Sequence, residues 1–147
     1  MSFQAFWDAS ILVPLCVNEP NTVKAERLFG RYTVIVWWGT PIEIVSAFGR
    51  LRRMGTMTDL ELTKSEAELH RMRGDWRVVQ PSEDVLVQAL LVVKQYALRA
   101  GDALQLAAAL TWCEGRPAGE IFLTADRRLA EAAEDAGFTL EPGLAQA

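Results

Sequence analysis

Thr33-Val34-Ile35-Val36-Trp37-Trp38, then Gly39, then Thr40-Pro41-Ile42-Glu43, is the stretch whose reading decides the fold class. β-Branched and aromatic residues in unbroken succession are strongly strand-like. Gly39 ends the run. Thr40 suits a helix N-cap, Pro41 the first helical position, and Glu43 stands three residues after the cap, the pattern of a capping box. A helix is therefore expected from here to about Met54, with Gly55 stopping it. A strand passing directly into a helix suggests an α/β protein.

The same alternation extends in both directions. Upstream, Phe3 to Trp7 is an apolar run that stops at Asp8, reading as a buried strand with Asp8 at its carboxyl end. Ser10 to Val17 is a short apolar helix or turn, Pro20-Asn21-Thr22 breaks it, and a helix over about Thr22 to Gly30 is closed by Gly30. Downstream, Thr58 or Asp59 starts a helix reaching about Arg73, and Trp76 to Val79 is a short strand. Pro81-Ser82-Glu83 opens a helix to about Leu98. Gly101-Asp102 breaks and restarts the chain into a helix up to Cys113. Glu120 to Thr124 is a fourth strand, Arg127 to Ala136 a helix capped by Gly137, and Phe138 to Leu140 a last strand. Strands alternating with helices imply a parallel sheet covered on both faces. No repeat, linker or low-complexity segment interrupts it, so residues 1–147 read as a single domain with a core of about 3–140 and a loose C-terminal tail.

The bulk properties narrow the function. The 147 residues suit one substantial core, half of them hydrophobic and 23% charged, as in an average globular domain. A net charge of −4 removes any general basic field for nucleic acid. The positive charge is mostly arginine, with clusters at Arg50, Arg52 and Arg53 and at Arg71, Arg73 and Arg77. Cys16 and Cys113 have no metal-ligand spacing and read as reduced thiols of a reducing compartment. No signal peptide or membrane span is visible, and a cytoplasmic protein is expected.

In open α/β sheets functional groups gather outside the carboxyl ends of the strands. Asp8, Glu43 and Asp126 follow strands one, two and four and should approach one edge. Asp102 opens an Ala/Leu-rich helix, with Leu106 and Ala109 at helical spacing and Arg99 the one nearby cation; the strand rule does not locate it. Each acid has a structural explanation of its own: an Asx turn for Asp8, the capping box for Glu43, helix starts for Asp102 and Asp126. Together they are four acids on apolar elements with no His-Ser or Cys-His arrangement to compete. Carboxylates held within a few ångströms stay ionised only if a cation neutralises them. Oxygen ligands select Mg²⁺ or Mn²⁺ over Zn²⁺, and such a site polarises a phosphoryl oxygen and activates water. The other polar features read as structural. His70 is a solvated helix residue, and Trp7, Trp37 and Trp38 are core residues beside strands; Trp76 and Trp112 are unassigned. No Gly-rich phosphate loop supports a nucleotide cofactor. The run Val85 to Val93 is a buried helix face and a potential dimer surface.

The order and context of these acids carry a resemblance. Trp7-Asp8-Ala9-Ser10-Ile11-Leu12, Glu43 on its helix, Leu98-Arg99-Ala100-Gly101-Asp102-Ala103-Leu104-Gln105-Leu106-Ala107, and Phe122-Leu123-Thr124-Ala125-Asp126 with Leu129 and Gly137 together resemble a PIN domain. More narrowly the chain is similar to the VapC-type toxins of VapBC toxin–antitoxin pairs, over about Phe3 to Leu140. The resemblance implies a PIN-like three-layer α/β/α sandwich with a central, mainly parallel sheet of about five short strands. It implies an endoribonuclease dependent on Mg²⁺ or Mn²⁺, with Asp8, Glu43, Asp102 and Asp126 as the acidic quartet. Asp8 and Asp102 would be the principal ligands; Glu43 and Asp126 would bind directly, through water, or to a second ion. Ser10 and Thr124 would support them by hydrogen bonds. It further implies a homodimer and a small antitoxin that blocks the site. The resemblance implies that the antitoxin binds DNA; this chain shows no DNA-reading motif of its own, and no membrane partner is expected.

RNA contact would depend on arginine, with Arg50 and Arg53 beyond Glu43 the candidates, although a solvated helix end explains them equally well. The alternative within the same fold is a PIN-like module that binds RNA or protein without cutting, against which stand four intact acids. A receiver would want a late lysine near its pocket, whereas Lys94 falls on a helix. A dehalogenase-type phosphatase would want Asp-x-Asp, where this chain has Asp8-Ala9-Ser10.

Overall fold

The computed structural model describes residues 3–144. Five strands form one sheet in the order β3-β2-β1-β4-β5: β1 (Phe3–Trp7), β2 (Tyr32–Trp37), β3 (Arg77–Val79), β4 (Ile121–Leu123) and β5 (Thr139–Leu140). Every pair is parallel, with Phe6 opposite Ile35 on one side and Phe122 on the other. Seven helices complete the chain: α1 (Ala9–Cys16), α2 (Thr22–Arg31), α3 (Thr40–Arg53), α4 (Asp59–Arg73), α5 (Glu83–Gln95), α6 (Ala100–Trp112) and α7 (Arg127–Ala136).

Alternation along each central strand builds two cores. Ala5 and Trp7 of β1 with Val34 and Val36 of β2 pack on Ile11 and Leu12 of α1, Leu28 of α2, Ile44 and Phe48 of α3 and Leu69 of α4. Phe6, Ile35, Trp37 and Phe122 point the other way, onto Val85 and Val92 of α5, Leu106 of α6 and Leu129 of α7. Period-two strands buried on both faces give the three α/β/α layers. In the second core Phe6 stacks on Phe122 with centroids 5.4 Å apart, and Phe138 meets Phe122 at a tilt, 5.5 Å away.

Several element boundaries differ from expectation. Gly30 does not close α2; the helix runs one residue further, and Tyr32 turns extended straight into β2. β2 stops at Trp37, so Trp38 is 53% exposed rather than core. A side chain at Gly39 would meet the Trp37 indole nitrogen at 2.6 Å, so the turn out of β2 passes directly under that ring. α5 ends at Gln95, three residues before Leu98, because Ala97 takes a left-handed φ of 52°. That turn lets buried Leu98 enter the second core ahead of α6. Gly137, with φ 114°, caps α7 as expected. Within the expected loose tail, Glu141 accepts a hydrogen bond from the Tyr32 hydroxyl at 3.1 Å and Leu144 packs on the first core. Residues 145–147 of that tail lie outside the described residues.

The capping box falls on a different helix from the one expected. Gly39, not Thr40, caps α3, and it offers no side-chain hydrogen bond. The reciprocal pair forms instead on α4, where Thr58 accepts from the Glu61 amide and Glu61 accepts from the Thr58 amide. Thr40 and Glu43 are thereby left to other partners.

Candidate active site

The sheet order reverses between β1 and β4: β2 and β3 lie to one side of β1, β4 and β5 to the other. Helices leave to opposite faces at such a point and a crevice opens beyond the strand ends. Asp8 stands there as the residue after β1 and the N-cap of α1, held by its backbone amide to the Leu123 carbonyl at 2.9 Å. Its Oδ2 accepts from the Ser10 hydroxyl at 2.5 Å, the Thr124 hydroxyl at 2.8 Å and, more distantly, the Ser10 amide at 3.3 Å. Ser10 Oγ in turn accepts from the Ala125 amide, and Thr124 Oγ1 from the Asp126 amide at 3.0 Å. Asp126 caps α7, its Oδ1 accepting from the Leu129 amide at 2.9 Å. The ends of β1 and β4 are thus tied into one network by Ser10 and Thr124, the two residues expected to support the acids.

The other two acids arrive on helices. Glu43 lies in the first turn of α3. Its Oε2 accepts from the Gln105 side-chain amide at 2.5 Å, and the same Nε2 reaches Thr40 Oγ1 at 3.1 Å. The capping explanation for Glu43 therefore fails: its carboxylate turns into the crevice. Asp102 is the third residue of α6, whose cap position belongs to Arg99, so it is not a capping residue either. α6 feeds β4, and its first turn lies at the carboxyl edge, which brings Asp102 to a site the strand rule could not reach. Asp102 accepts no hydrogen bond from the described residues.

All four carboxylates line a single open cavity of about 460 Å³ with Ser10, Arg50 and Arg99. Burial raises the Asp8 carboxyl above its ordinary range, and the Ser10 and Thr124 hydrogen bonds offset part of that rise. Burial, with the charges of Asp8 and Asp102, pushes Glu43 up to about 7 against the pull of the Gln105 amide. Burial, then the Asp126 and Asp8 charges, push Asp102 up to about 6 against Arg99. Glu43 and Asp102 thus each feel the charges of two other acids of the cavity. Among the described residues no three acids or imidazole or thiol groups close into a ready-made metal cage. The donor set is nevertheless all oxygen, converging and mutually repelling, which is the chemistry that a hard divalent cation relieves.

Arg50 lines this cavity, whereas Arg53 does not; its guanidinium folds back beside Gly49. Arg52, exposed, pairs with Asp59. Two contributors escaped the sequence reading as site residues: Arg99, noted only as a neighbouring cation, and Gln105. The signal for Gln105 was present, a lone amide within the Ala/Leu run of α6, three residues after Asp102. His70 is exposed, as expected, and both cysteines are free and partly buried. Among the described residues no helix is long and apolar enough to cross a membrane.

A family profile described as the PIN domain matches residues 5–135. Among solved structures, VapC20 of Mycobacterium tuberculosis, described as a sarcin-ricin loop cleaving toxin, superposes with a TM-score of 0.65 at 19% identity, over 92% of this chain and 97% of that one. The DNA-bound VapBC of Salmonella typhimurium gives 0.65 at 12% identity, over 95% and 97%. A Pyrobaculum aerophilum protein gives 0.67 at 18%, over 95% and 90%. A comparison with curated proteins finds no match.

Proposed function

Because the chain belongs to the PIN domain family, we propose that it is an endoribonuclease dependent on Mg²⁺ or Mn²⁺, acting as the toxin of a type II toxin–antitoxin pair. One observation carries the reading: four carboxylates from four separate segments line one cavity, with Glu43 and Asp102 pushed to about 7 and about 6. That repulsion is unfavourable in a protein with no further task for the site, and a divalent cation turns it into affinity. The likeness to a sarcin-ricin loop cleaving toxin supports structured RNA as the substrate.

Asp8 and Asp102 would hold the ion, with Glu43 and Asp126 completing its shell directly or through water. When bound, the ion polarises a phosphoryl oxygen and lowers the pKa of water. Ser10 and Thr124 fix the Asp8 carboxylate by two hydrogen bonds to one oxygen, leaving its other oxygen for the cavity. Arg50 and Arg99 at the cavity wall supply the positive charge that draws an RNA phosphate past the acids. Arg53 is withdrawn from this role.

The VapBC neighbours support an antitoxin that covers the cavity. A homodimer is supported by α5, whose apolar Leu86, Val87, Leu90 and Leu91 are each about half exposed. Leu90→Arg is expected to yield a monomer by light scattering with little change in melting temperature. The proposed substrate would locate the protein in the cytoplasm.

The deciding experiment is cleavage of a structured-RNA panel by antitoxin-free protein with Mg²⁺, with Mn²⁺ and with EDTA, beside Asp102→Asn. Cleavage that needs the ion and vanishes in the variant is expected. Cleavage persisting in EDTA would overturn the metal assignment. If no RNA is cut, titration of Mn²⁺ into both proteins separates a selective site from an absent one.

A further inference from the structure

We propose that Gln105 and Gly101 form a slot on α6 that sets the orientation of the Glu43 carboxylate, making Gln105 a positioning residue of the site. The two residues are four apart, so they lie on one face of the helix, one turn above the other. Between them runs the Glu43 carboxylate. Gln105 Nε2 donates to Oε2 at 2.5 Å, and a methyl group at Gly101 would sit 3.2 Å from Oε1. One oxygen is thereby clamped and the other is given room by a missing side chain. Asp102, beside Gly101, shares that turn, so the slot also sets the spacing of the two helix-borne acids.

The surroundings of Gln105 point beyond packing. Its side chain is fully buried in a helix face otherwise built of Ala and Leu. Both amide hydrogens face acceptors, Glu43 and Thr40, while Oε1 has no partner. A buried amide with an orphaned carbonyl is worse for folding than an apolar side chain of the same length. What the amide supplies that methionine would not is a directed donor to one carboxylate oxygen. In this orientation the one Nε2 group donates to both Glu43 Oε2 and Thr40 Oγ1.

The inference rests on Glu43 as a metal-site carboxylate, so the test separates the two. Gln105→Met keeps length and volume and removes the donor. Its melting temperature should be unchanged or higher, and its Mn²⁺ dissociation constant about tenfold weaker, the usual scale for a residue that orients a ligand. In a Glu43→Gln background the same change should add nothing; equal weakening in both backgrounds would overturn the slot. In metal-free protein the Gln105 side-chain amide resonances should exchange slowly and shift on Glu43→Leu. Resonances indifferent to Glu43→Leu overturn the inference, whatever Mn²⁺ does. Wild type that binds no Mn²⁺ while those resonances respond would overturn the metal reading and leave the slot in place.

Discussion

The two halves of the acidic cavity are built in opposite ways. The strand-borne half, Asp8 and Asp126, is anchored by protein hydrogen bonds through one oxygen of each: Asp8 Oδ2 receives two hydroxyls and an amide, and Asp126 Oδ1 caps its helix. The helix-borne half, Glu43 and Asp102, has a single donor between them, the Gln105 amide. One half is held in position by the turns that end β1 and β4. The other comes from two helices on opposite faces of the sheet, joined at the edge by the Gln105–Glu43 hydrogen bond, and its charged form carries an electrostatic cost. Position and charge are therefore supplied by different elements. The first half organises the edge of the sheet, and the second gathers carboxyls whose ionisation burial and mutual repulsion oppose.

The strongest way to break this division is to neutralise one acid from each half. Asp8→Asn and Asp102→Asn should each reduce ion-dependent RNA cleavage by on the order of 10³-fold, the scale for losing a group that stabilises transition-state charge. Far-ultraviolet circular dichroism should be unchanged. Wild-type cleavage by either variant would remove that residue from the site.

Thr124→Val tests what the strand-borne half does for stability. The hydroxyl donates to Asp8 and accepts from the Asp126 amide, and Thr124 is buried. Its loss should cost about 1–3 kcal/mol in chemical denaturation, as expected for stranded buried partners. Gln105→Met, the counterpart in the other half, should cost little, because stranding the buried Thr40 hydroxyl is offset by removing the orphaned Gln105 Oε1. Equal costs would erase the distinction between the halves.

The pH dependence of the metal-free protein tests the charge. Folded values near 7 for Glu43 and near 6 for Asp102 lie above the ordinary 4.5 and 3.8. Over those intervals the folded state binds more protons than the unfolded chain, so these groups lower stability as pH rises. The melting temperature should fall between about pH 4.5 and pH 7 and flatten above, by the same linkage. Mg²⁺ should reduce the fall, and Glu43→Gln should remove its upper part. A melting temperature that climbs through this interval in both wild type and Glu43→Gln would show that other groups dominate. The smallest effect is expected from Gly101→Ala. A helix gains about 0.5–1 kcal/mol from that exchange, set against the 3.2 Å approach to Glu43 Oε1. Stability should hardly move while Mn²⁺ affinity drops a few-fold.

These halves also differ in how far they could be read in advance. Asp8, Glu43 and Asp126 were placed together because each follows a strand, and strand ends in an α/β sheet share an edge; Asp102, which follows a helix, was not placed by that rule. The turn before Glu43 was misread locally. Thr40-Pro41-Ile42-Glu43 has the spacing of a capping box, yet Thr40 is fully buried against Gln105 and the cap falls to Gly39. Trp38 continued an aromatic run, but β2 stops at Trp37 and leaves it exposed. Both errors come from extending a local pattern by one residue across a turn whose geometry is set from outside.

Sequence alone carried the alternation of strands and helices, the burial of both sheet faces, and the approach of three of the four acids to one edge. Those follow from side-chain period and turn chemistry, which act over a few residues. The tertiary structure alone decided the order β3-β2-β1-β4-β5, and with it the meeting of α6 and α3. Gln105 and Glu43 are 62 residues apart. No short-range pattern pairs them; only the closed sheet, by fixing which helix passes over which strand end, brings the amide to the carboxylate and Asp102 to Asp8.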